Sequence, residues 1–124
     1  MKTTGIIIAD DNAQNLYLTH FLLAQAGYAV REAHNGEEVV ALSRAEKPSL
    51  ILMDIQMPVM NGLEATRCIK SQPSAPLIVA LTARAMSGDR ERILAAGCDG
   101  YIEKPIDPAT FVGRVESYLK GEPE

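Results

Sequence analysis

Five polar residues in this sequence stand at the ends of short strand-like segments, and their side chains could together bind a phosphate. They are three carboxylates, a hydroxyl and an amine: Asp10, Asp11, Asp54, Thr82 and Lys104. Three carboxylates in one cleft repel one another and need a cation, and oxygen ligands of this kind suit Mg²⁺ better than a soft metal. A carboxylate can also attack phosphorus, while a lysine and a hydroxyl neutralise the phosphoryl oxygens. If the five side chains meet, the set predicts Mg²⁺-assisted phosphoryl transfer.

Each of these residues has a plainer interpretation when it is taken singly. Asp10 and Asp11 could cap a turn that leads into a helix, and Asp54 could be a loop carboxylate. Thr82 could cap the helix that follows it. Lys104 could be a solvated surface lysine. The chemical interpretation therefore depends on whether the fold brings the five side chains together.

Alternating apolar and helical patterns predict the elements that would bring them together. Residues 6–9, 50–53 and 77–81 are continuous apolar runs, which are typical of strands buried on both faces. Two shorter strands are predicted at 28–32 and 101–103. Helical patterns fill the intervals, over 12–26, 37–46, 63–70, 87–96 and 108–119. In the first of these, Leu18, Leu22 and Ala26 recur at helical spacing and indicate the buried stripe, which Leu16 and Leu23 widen.

Residues with special backbone preferences mark several helix ends. Asn12 can cap the first helix, and Gly27 stands where a left-handed residue would end it. Gly97 closes the fourth helix in the same way. Asp107 and Pro108 form an N-cap and N1 pair that predicts the start of the last helix.

The pattern is a strand followed by a helix, repeated five times, which predicts an α/β fold with a parallel sheet covered on both faces. Right-handed crossovers leave few topologies, and the flavodoxin-like (βα)5 sandwich with strand order 2-1-3-4-5 fits five units. A Rossmann-like half is the alternative. We expect one domain over residues 1–124, because this length is close to the commonest domain size. In such sheets the carboxyl ends of the strands meet at one edge, where ligands bind.

Composition and charge argue against several classes of protein. The chain has 47% hydrophobic and 23% charged residues, which are ordinary values for a globular domain. Its net charge of −4 argues against direct nucleic-acid binding, which needs a basic surface. No stretch approaches the roughly 20 apolar residues that span a bilayer, and Asp10 and Asp11 interrupt the N-terminal apolar run before it could serve as a signal peptide. We expect a cytoplasmic protein in which Cys68 and Cys98 are small buried hydrophobes.

Four segments of the sequence together resemble the receiver domain of two-component response regulators, over essentially the whole chain. In chain order, the segments are Asp10-Asp11, residues 53–62, Ala80-Leu81-Thr82-Ala83 and Lys104-Pro105. The segment 53–62 is the most specific of the four and reads Met53-Asp54-Ile55-Gln56-Met57-Pro58-Val59-Met60-Asn61-Gly62. The resemblance implies a signalling switch that catalyses only its own phosphorylation and dephosphorylation.

The resemblance also implies a role for each site residue. Asp54 would accept a phosphoryl group from a histidine kinase or a histidine phosphotransfer protein. Asp11, Asp54 and the backbone carbonyl of Gln56 would bind Mg²⁺ directly, while Asp10 would act largely through water. Thr82 and Lys104 would contact the phosphoryl oxygens. The peptide bond between Lys104 and Pro105 would be cis.

Two further roles follow from the same resemblance. Thr82 and Tyr101 would form the switch, in which Thr82 moves toward the phosphate and Tyr101 turns inward. This movement would remodel the face made by the fourth helix, the fifth strand and the fifth helix, where an unidentified protein target would bind. Gln56 and Arg84 occupy the positions that would tune the lifetime of the phosphoryl group.

Rival functions fit the sequence less well. A haloacid-dehalogenase-like phosphohydrolase also uses an aspartate nucleophile and Mg²⁺, but it needs a second acid two residues later, where this chain has Gln56. A flavodoxin-like flavin carrier needs a hydroxyl-rich and glycine-rich phosphate loop after the first strand, where Asp10, Asp11 and Asn12 stand instead. A receiver-like module that no longer accepts phosphate would lack part of the site. Both a stand-alone regulator and a piece of a larger regulator or hybrid kinase fit the resemblance.

Overall fold

The computed structural model describes residues 5–57, 59–83 and 87–121, with side chains for all of these except 87–89. Strands and helices alternate through the chain. The strands are β1 (Gly5–Ala9), β2 (Ala29–Ala33), β3 (Leu50–Asp54), β4 (Leu77–Thr82) and β5 (Gly100–Glu103). The helices are α1 (Ala13–Gln25), α2 (Gly36–Glu46), α3 (Gly62–Lys70), α4 (Ser87–Ala95) and α5 (Phe111–Leu119). The ten predicted elements are confirmed, with ends that differ by three residues at most.

All strand pairs are parallel, and the strand order is β2-β1-β3-β4-β5. This confirms the flavodoxin-like order. The register places Asp54 beside Leu81 and places Thr82 beside Glu103. The last residues of β3 and β4 therefore lie at the same edge of the sheet, in neighbouring strands.

Side chains that alternate along each strand build two cores, one on each face of the sheet. Ile7, Ile51 and Ile78 belong to the core that packs under α2, α3 and α4. Their neighbours along the strands, such as Ile8 and Leu52, belong to the core under α1 and α5. Fully burying each such side chain stabilises the fold by about 1.5–3 kcal/mol. Because all five residues of β3 are buried, Asp54 is carried by a strand that has no face in solvent.

Asparagine side chains cap three of the helices. The side chains of Asn12, Asn35 and Asn61 each accept a hydrogen bond from the backbone N–H three residues later. Asn61 also forms a reciprocal capping box with Glu64, which orients α3 directly after the loop that follows β3. Gly27, with a φ of 101°, adopts the predicted left-handed conformation after α1. These local signals explain why sequence patterns located most helix ends.

Two local predictions were wrong in part. Leu16 and Leu23 of α1 are buried as predicted, but they are joined by Thr19, whereas Leu18 and Leu22 are only half-buried and Ala26 is exposed. Thr19 could take a core position because its hydroxyl donates to the carbonyl of Asn15 at 2.8 Å, which satisfies it inside the helix. Helix α5 begins at Phe111, three residues after the predicted start. The carboxylate of Asp107 accepts the N–H of Ala109 at 3.0 Å and forms a turn before the helix.

Gly62 allows α3 to start close beneath the end of β3. Its N–H donates to the carbonyl of Ile55 at 2.8 Å, and a Cβ built on it would collide with the carbonyl oxygen of Asp54. A side chain at this position would therefore displace the loop that supports Asp54. Gly113, on the exposed side of α5, has no heavy atom within 4 Å of the corresponding point.

We predict opposite effects for alanine at these two glycines. Gly62→Ala should lower the free energy of unfolding by about 1–3 kcal/mol, because the new methyl group overlaps main-chain atoms. Gly113→Ala should raise it by about 0.5–1 kcal/mol, because alanine restricts the unfolded chain without a clash. Urea denaturation followed by circular dichroism measures both values. Equal effects of the two substitutions would contradict the close approach at Gly62.

Candidate functional site

Main-chain hydrogen bonds position four of the five predicted site residues at one edge of the sheet. Asp54 and Thr82 are the last residues of β3 and β4. Asp10 follows β1, and its N–H donates to the carbonyl of Ala33 at 3.0 Å, which extends the pairing with β2. Lys104 follows β5, and its N–H donates to the carbonyl of Thr82 at 2.8 Å. The convergence predicted from the strand ends is therefore present.

The carboxylates form a compact cluster. Asp10, Asp11 and Asp54 each offer an oxygen, and these oxygens all lie within 4.8 Å of one another. Asp10 and Asp54 are almost completely buried, with exposures of 1% and 5%, whereas Asp11 is exposed. Lys104 lies beside the buried pair, with its Nζ 3.2 Å from Asp54 Oδ1 and 3.5 Å from Asp10 Oδ2. Lys104 thus contacts two of the three carboxylates that share this small volume.

Burial, and then the neighbouring charge of Asp10, raises the pKa of Asp54 from its ordinary value of 3.8 to about 6. The charge of Lys104 and two hydrogen bonds oppose this rise; one bond is with Lys104 and the other, 3.3 Å long, comes from the N–H of Gln56. The Asp54 carboxylate is therefore ionised at neutral pH, but at a cost in free energy that an additional cation would relieve.

Asp10 carries an oxygen that the described residues leave without a hydrogen bond. Its Oδ1 accepts the N–H of Asn12 at 2.9 Å, but its buried Oδ2 has no hydrogen-bond partner, and the contact with Lys104 is a longer ion pair. A buried acceptor of this kind is costly unless a water molecule or a cation meets it. The donor set consists of oxygens only, so it fits a hard divalent cation such as Mg²⁺.

The cluster lies in an open cleft of about 920 Å³. The cleft is also lined by Asn15 from α1 and Arg92 from α4, which the sequence patterns did not indicate. Helical periodicity predicts which residues of a helix share a face, but not toward which strand end that face turns. Without the sheet order, no signal in the sequence distinguished Arg92 from the other charged residues of α4.

Of the remaining predicted residues, Thr82 and Gln56 line the cleft, and Tyr101 lies in the neighbouring strand β5. Thr82 is buried. The side chain of Gln56 is exposed at the rim. Tyr101 is half-buried in β5, opposite Ala80. The bond between Lys104 and Pro105 is cis, as the resemblance implied. Arg84, to which a lifetime-tuning role was assigned, lies outside the described residues.

A comparison with protein families decides how this site is classified. The family model described as the response regulator receiver domain matches residues 6–116, which is most of the chain. The chain belongs to the response regulator receiver family. Members of this family act as signalling switches that interact with histidine kinases or phosphotransfer proteins and generally use Mg²⁺, and the acidic cluster of this chain is compatible with that use.

Curated relatives are similar over nearly their whole length. The polar-differentiation response regulator DivK of Brucella anthropi is 42% identical over 117 residues, which make up 93% of this chain and 95% of that protein. DivK of Brucella ovis is 41% identical over 119 residues, 94% of this chain and 97% of that protein. These relatives are receivers, and they leave the haloacid-dehalogenase-like alternative without support.

Solved structures agree with the fold. The chemotaxis protein CheY4 of Vibrio cholerae superimposes with a TM-score of 0.88 at 26% identity, covering 93% of this chain and 98% of that one. The receiver domain of the sensor histidine kinase PA1611 from Pseudomonas aeruginosa gives 0.87 at 33% identity, with 98% and 100% coverage. That receiver holds a magnesium ion coordinated in its active-site cleft. Within the described part of this chain, no helix has the length and apolarity to cross a membrane.

We predict that Asp54→Asn raises the free energy of unfolding when a chelator keeps divalent cations away, because the substitution removes one of three crowded negative charges. Since the pKa of Asp54 is raised in the folded state, its protonated form adds stability that is fully present below about pH 3.8 and is lost as pH rises through about 6. The asparagine side chain does not titrate, so the variant keeps its stability over this pH range. The free energy of unfolding of Asp54→Asn should therefore exceed that of the wild type by an amount that grows with pH, to about 1–3 kcal/mol at pH 7.

Thermal unfolding with and without Mg²⁺ provides the measurement. Mg²⁺ should raise the unfolding temperature of the wild type more than that of Asp54→Asn, since the variant has lost one anionic ligand. Asp107→Asn, which removes an exposed carboxylate beyond the cleft, is the matched control and should respond to Mg²⁺ like the wild type. An identical Mg²⁺ response of Asp54→Asn and the wild type would argue against a metal site at this cluster.

Proposed function

We propose that Asp54 accepts a phosphoryl group from a histidine kinase or a histidine phosphotransfer protein, in a reaction that depends on Mg²⁺. The observation that carries this proposal is the meeting of Asp54 with Lys104, 3.2 Å away, inside the cluster shared with Asp10 and Asp11. An acidic nucleophile, a set of cation ligands and a fixed positive charge then lie within one cleft that opens to solvent.

The reaction exchanges one bond to phosphorus for another. A carboxylate oxygen of Asp54 attacks the phosphorus of the donor's phosphohistidine, and an acyl phosphate bond forms as the phosphorus–nitrogen bond breaks. The imidazole nitrogen leaves with the bonding electron pair and takes up a proton. Later attack by water on phosphorus returns the Asp54 carboxylate and releases inorganic phosphate. The protein therefore catalyses only its own phosphorylation and dephosphorylation.

The residues around Asp54 hold the reacting groups and their charge. Asp11, Asp54 and the backbone carbonyl of Gln56 would bind Mg²⁺ directly, and Asp10 would do so largely through water. When bound, the ion neutralises charge on the phosphoryl oxygens. Lys104 supplies a second positive charge from the β5 side, and the Thr82 hydroxyl donates to a phosphoryl oxygen.

The signal would leave the cleft through Thr82 and Tyr101. Thr82 ends β4 and lines the cleft, while Tyr101 lies in the adjacent strand, two residues before the partner of Thr82. We propose that movement of these two side chains remodels the face formed by α4, β5 and α5, where a downstream protein binds.

We further propose that residues 1–124 form a single receiver domain that acts in the cytoplasm, binds neither nucleic acid nor membrane directly, and signals through protein partners. A continuous sheet with one core on each face supports the single domain. Cys68 and Cys98 are free thiols, which fits a reducing compartment. The net charge of −4 favours protein partners over nucleic acid.

The phosphoacceptor is tested by incubating the protein with Mg²⁺ and the small phosphodonor acetyl phosphate. We expect the mass of the intact protein to rise by one phosphoryl group, and hydroxylamine to remove the adduct because it cleaves acyl phosphates. Asp54→Asn should form no adduct, while the control Asp107→Asn should form it normally. An adduct on Asp54→Asn at the wild-type level would overturn the assignment.

The lifetime of the phosphoryl group provides a separate prediction. We propose that the side chains of Gln56 and Arg84 slow the attack of water, because long polar side chains at the rim can cover the phosphoryl group. Gln56 is exposed at the rim of the cleft, and the role of Arg84 rests on the resemblance alone. Gln56→Ala and Arg84→Ala should each shorten the dephosphorylation half-life, measured by the decay of the phosphorylated mass. Unchanged half-lives would contradict this role.

A further inference from the structure

Arg90 covers the ring of Tyr101 at the surface between α4 and β5. Its guanidinium carbon lies 5.6 Å from the centre of the ring. Arg90 is exposed and Tyr101 is half-buried, so one face of the ring packs toward the protein while the cation lies at the solvent side. A guanidinium at this distance attracts the negative face of an aromatic ring.

The main chain of Tyr101 is anchored independently of its ring. The hydroxyl of Tyr118 accepts the N–H of Tyr101 at 3.3 Å and donates to the carbonyl of the same residue at 3.3 Å. A Cβ at Gly100 would collide with the Tyr118 ring, so glycine is what lets the phenol reach the edge strand. Because these two hydrogen bonds hold the main chain of Tyr101, we assign the proposed inward turn to its side chain alone.

We propose that Arg90 is a positioning residue that holds Tyr101 in its resting conformation through this cation–π contact, and so opposes activation of the switch. The inference rests on the proposed function. The contact belongs to the arrangement in which the Asp54 carboxylate is paired with Lys104. We infer that an inward turn of Tyr101 on phosphorylation of Asp54 would carry its ring away from the guanidinium.

The expected size of the effect follows from the strength of exposed cation–π pairs. Such pairs shift a two-state equilibrium by about two- to fivefold. Because a phosphoryl group binds preferentially to the activated conformation, removing the pair should strengthen phosphoryl binding by the same factor. Arg90 would therefore set how readily this receiver is activated, from a position outside the cleft.

The test uses beryllofluoride, a tetrahedral phosphoryl analogue that bonds to a carboxylate oxygen, titrated into the protein with Mg²⁺ and followed by fluorine NMR. Arg90→Gln should bind it about two- to fivefold more tightly than the wild type. Arg90→Lys keeps a cation near the ring and should remain close to the wild type. Arg44→Gln removes another exposed arginine, from α2 near the opposite edge of the sheet, and should leave the affinity unchanged.

A double-mutant cycle separates the contact from a general effect of charge. In a Tyr101→Leu background, which lacks the ring, Arg90→Gln should leave the affinity unchanged. If Arg90→Gln binds beryllofluoride like the wild type, or tightens binding equally without the ring, the proposal is overturned while the proposed function stands. If the wild type does not bind beryllofluoride at all, the proposed function fails, and this inference fails with it.

Discussion

The crowding of negative charge beside Lys104 is the constraint on which the rest of the site depends. Asp10 and Asp54 are buried, their oxygens lie within 4.8 Å of each other and of Asp11, and Lys104 contacts both members of the buried pair. The crowding raises the pKa of Asp54, and it leaves one oxygen of Asp10 without a hydrogen bond from the described residues. A site of this kind binds a divalent cation readily and then tolerates a phosphoryl group, because both bring the charge closer to balance.

A rigid scaffold is needed to hold like charges together, and the central strand provides it. β3 lies between β1 and β4, and its five residues are buried on both faces. After Asp54, the N–H of Gly62 donates to the carbonyl of Ile55, which places the start of α3 next to the end of β3. The capping box then fixes the first turn of α3. The packed core around β3 therefore prevents the carboxylates from moving apart, because a close-packed interior has low compressibility.

The opposite requirement holds at β5, through which the proposed switch would carry the signal. This strand is at the edge of the sheet, Tyr101 is only half-buried, and the contacts with α4 and α5 that involve it lie near the surface. Weak contacts of this kind can be exchanged at little cost, whereas those around β3 cannot. The molecule thus combines a stiff central strand that carries Asp54 with an adaptable edge strand, and Lys104 links the two because it follows β5 and contacts Asp54.

The sequence by itself determined the order of the elements, the strand ends that bear Asp10, Asp54 and Lys104, and hence which of these side chains meet in the cleft. It could do so because continuous apolar strands, asparagine caps and glycine stops are local signals, and because parallel strands bring their carboxyl ends to one edge. Only the tertiary structure decided that Arg92 reaches the cleft and that Arg90 covers Tyr101. Those contacts depend on the rotation of α4 about its own axis against the sheet. Many weak packing interactions between distant parts of the chain set that rotation, so no periodic pattern in the sequence predicts it.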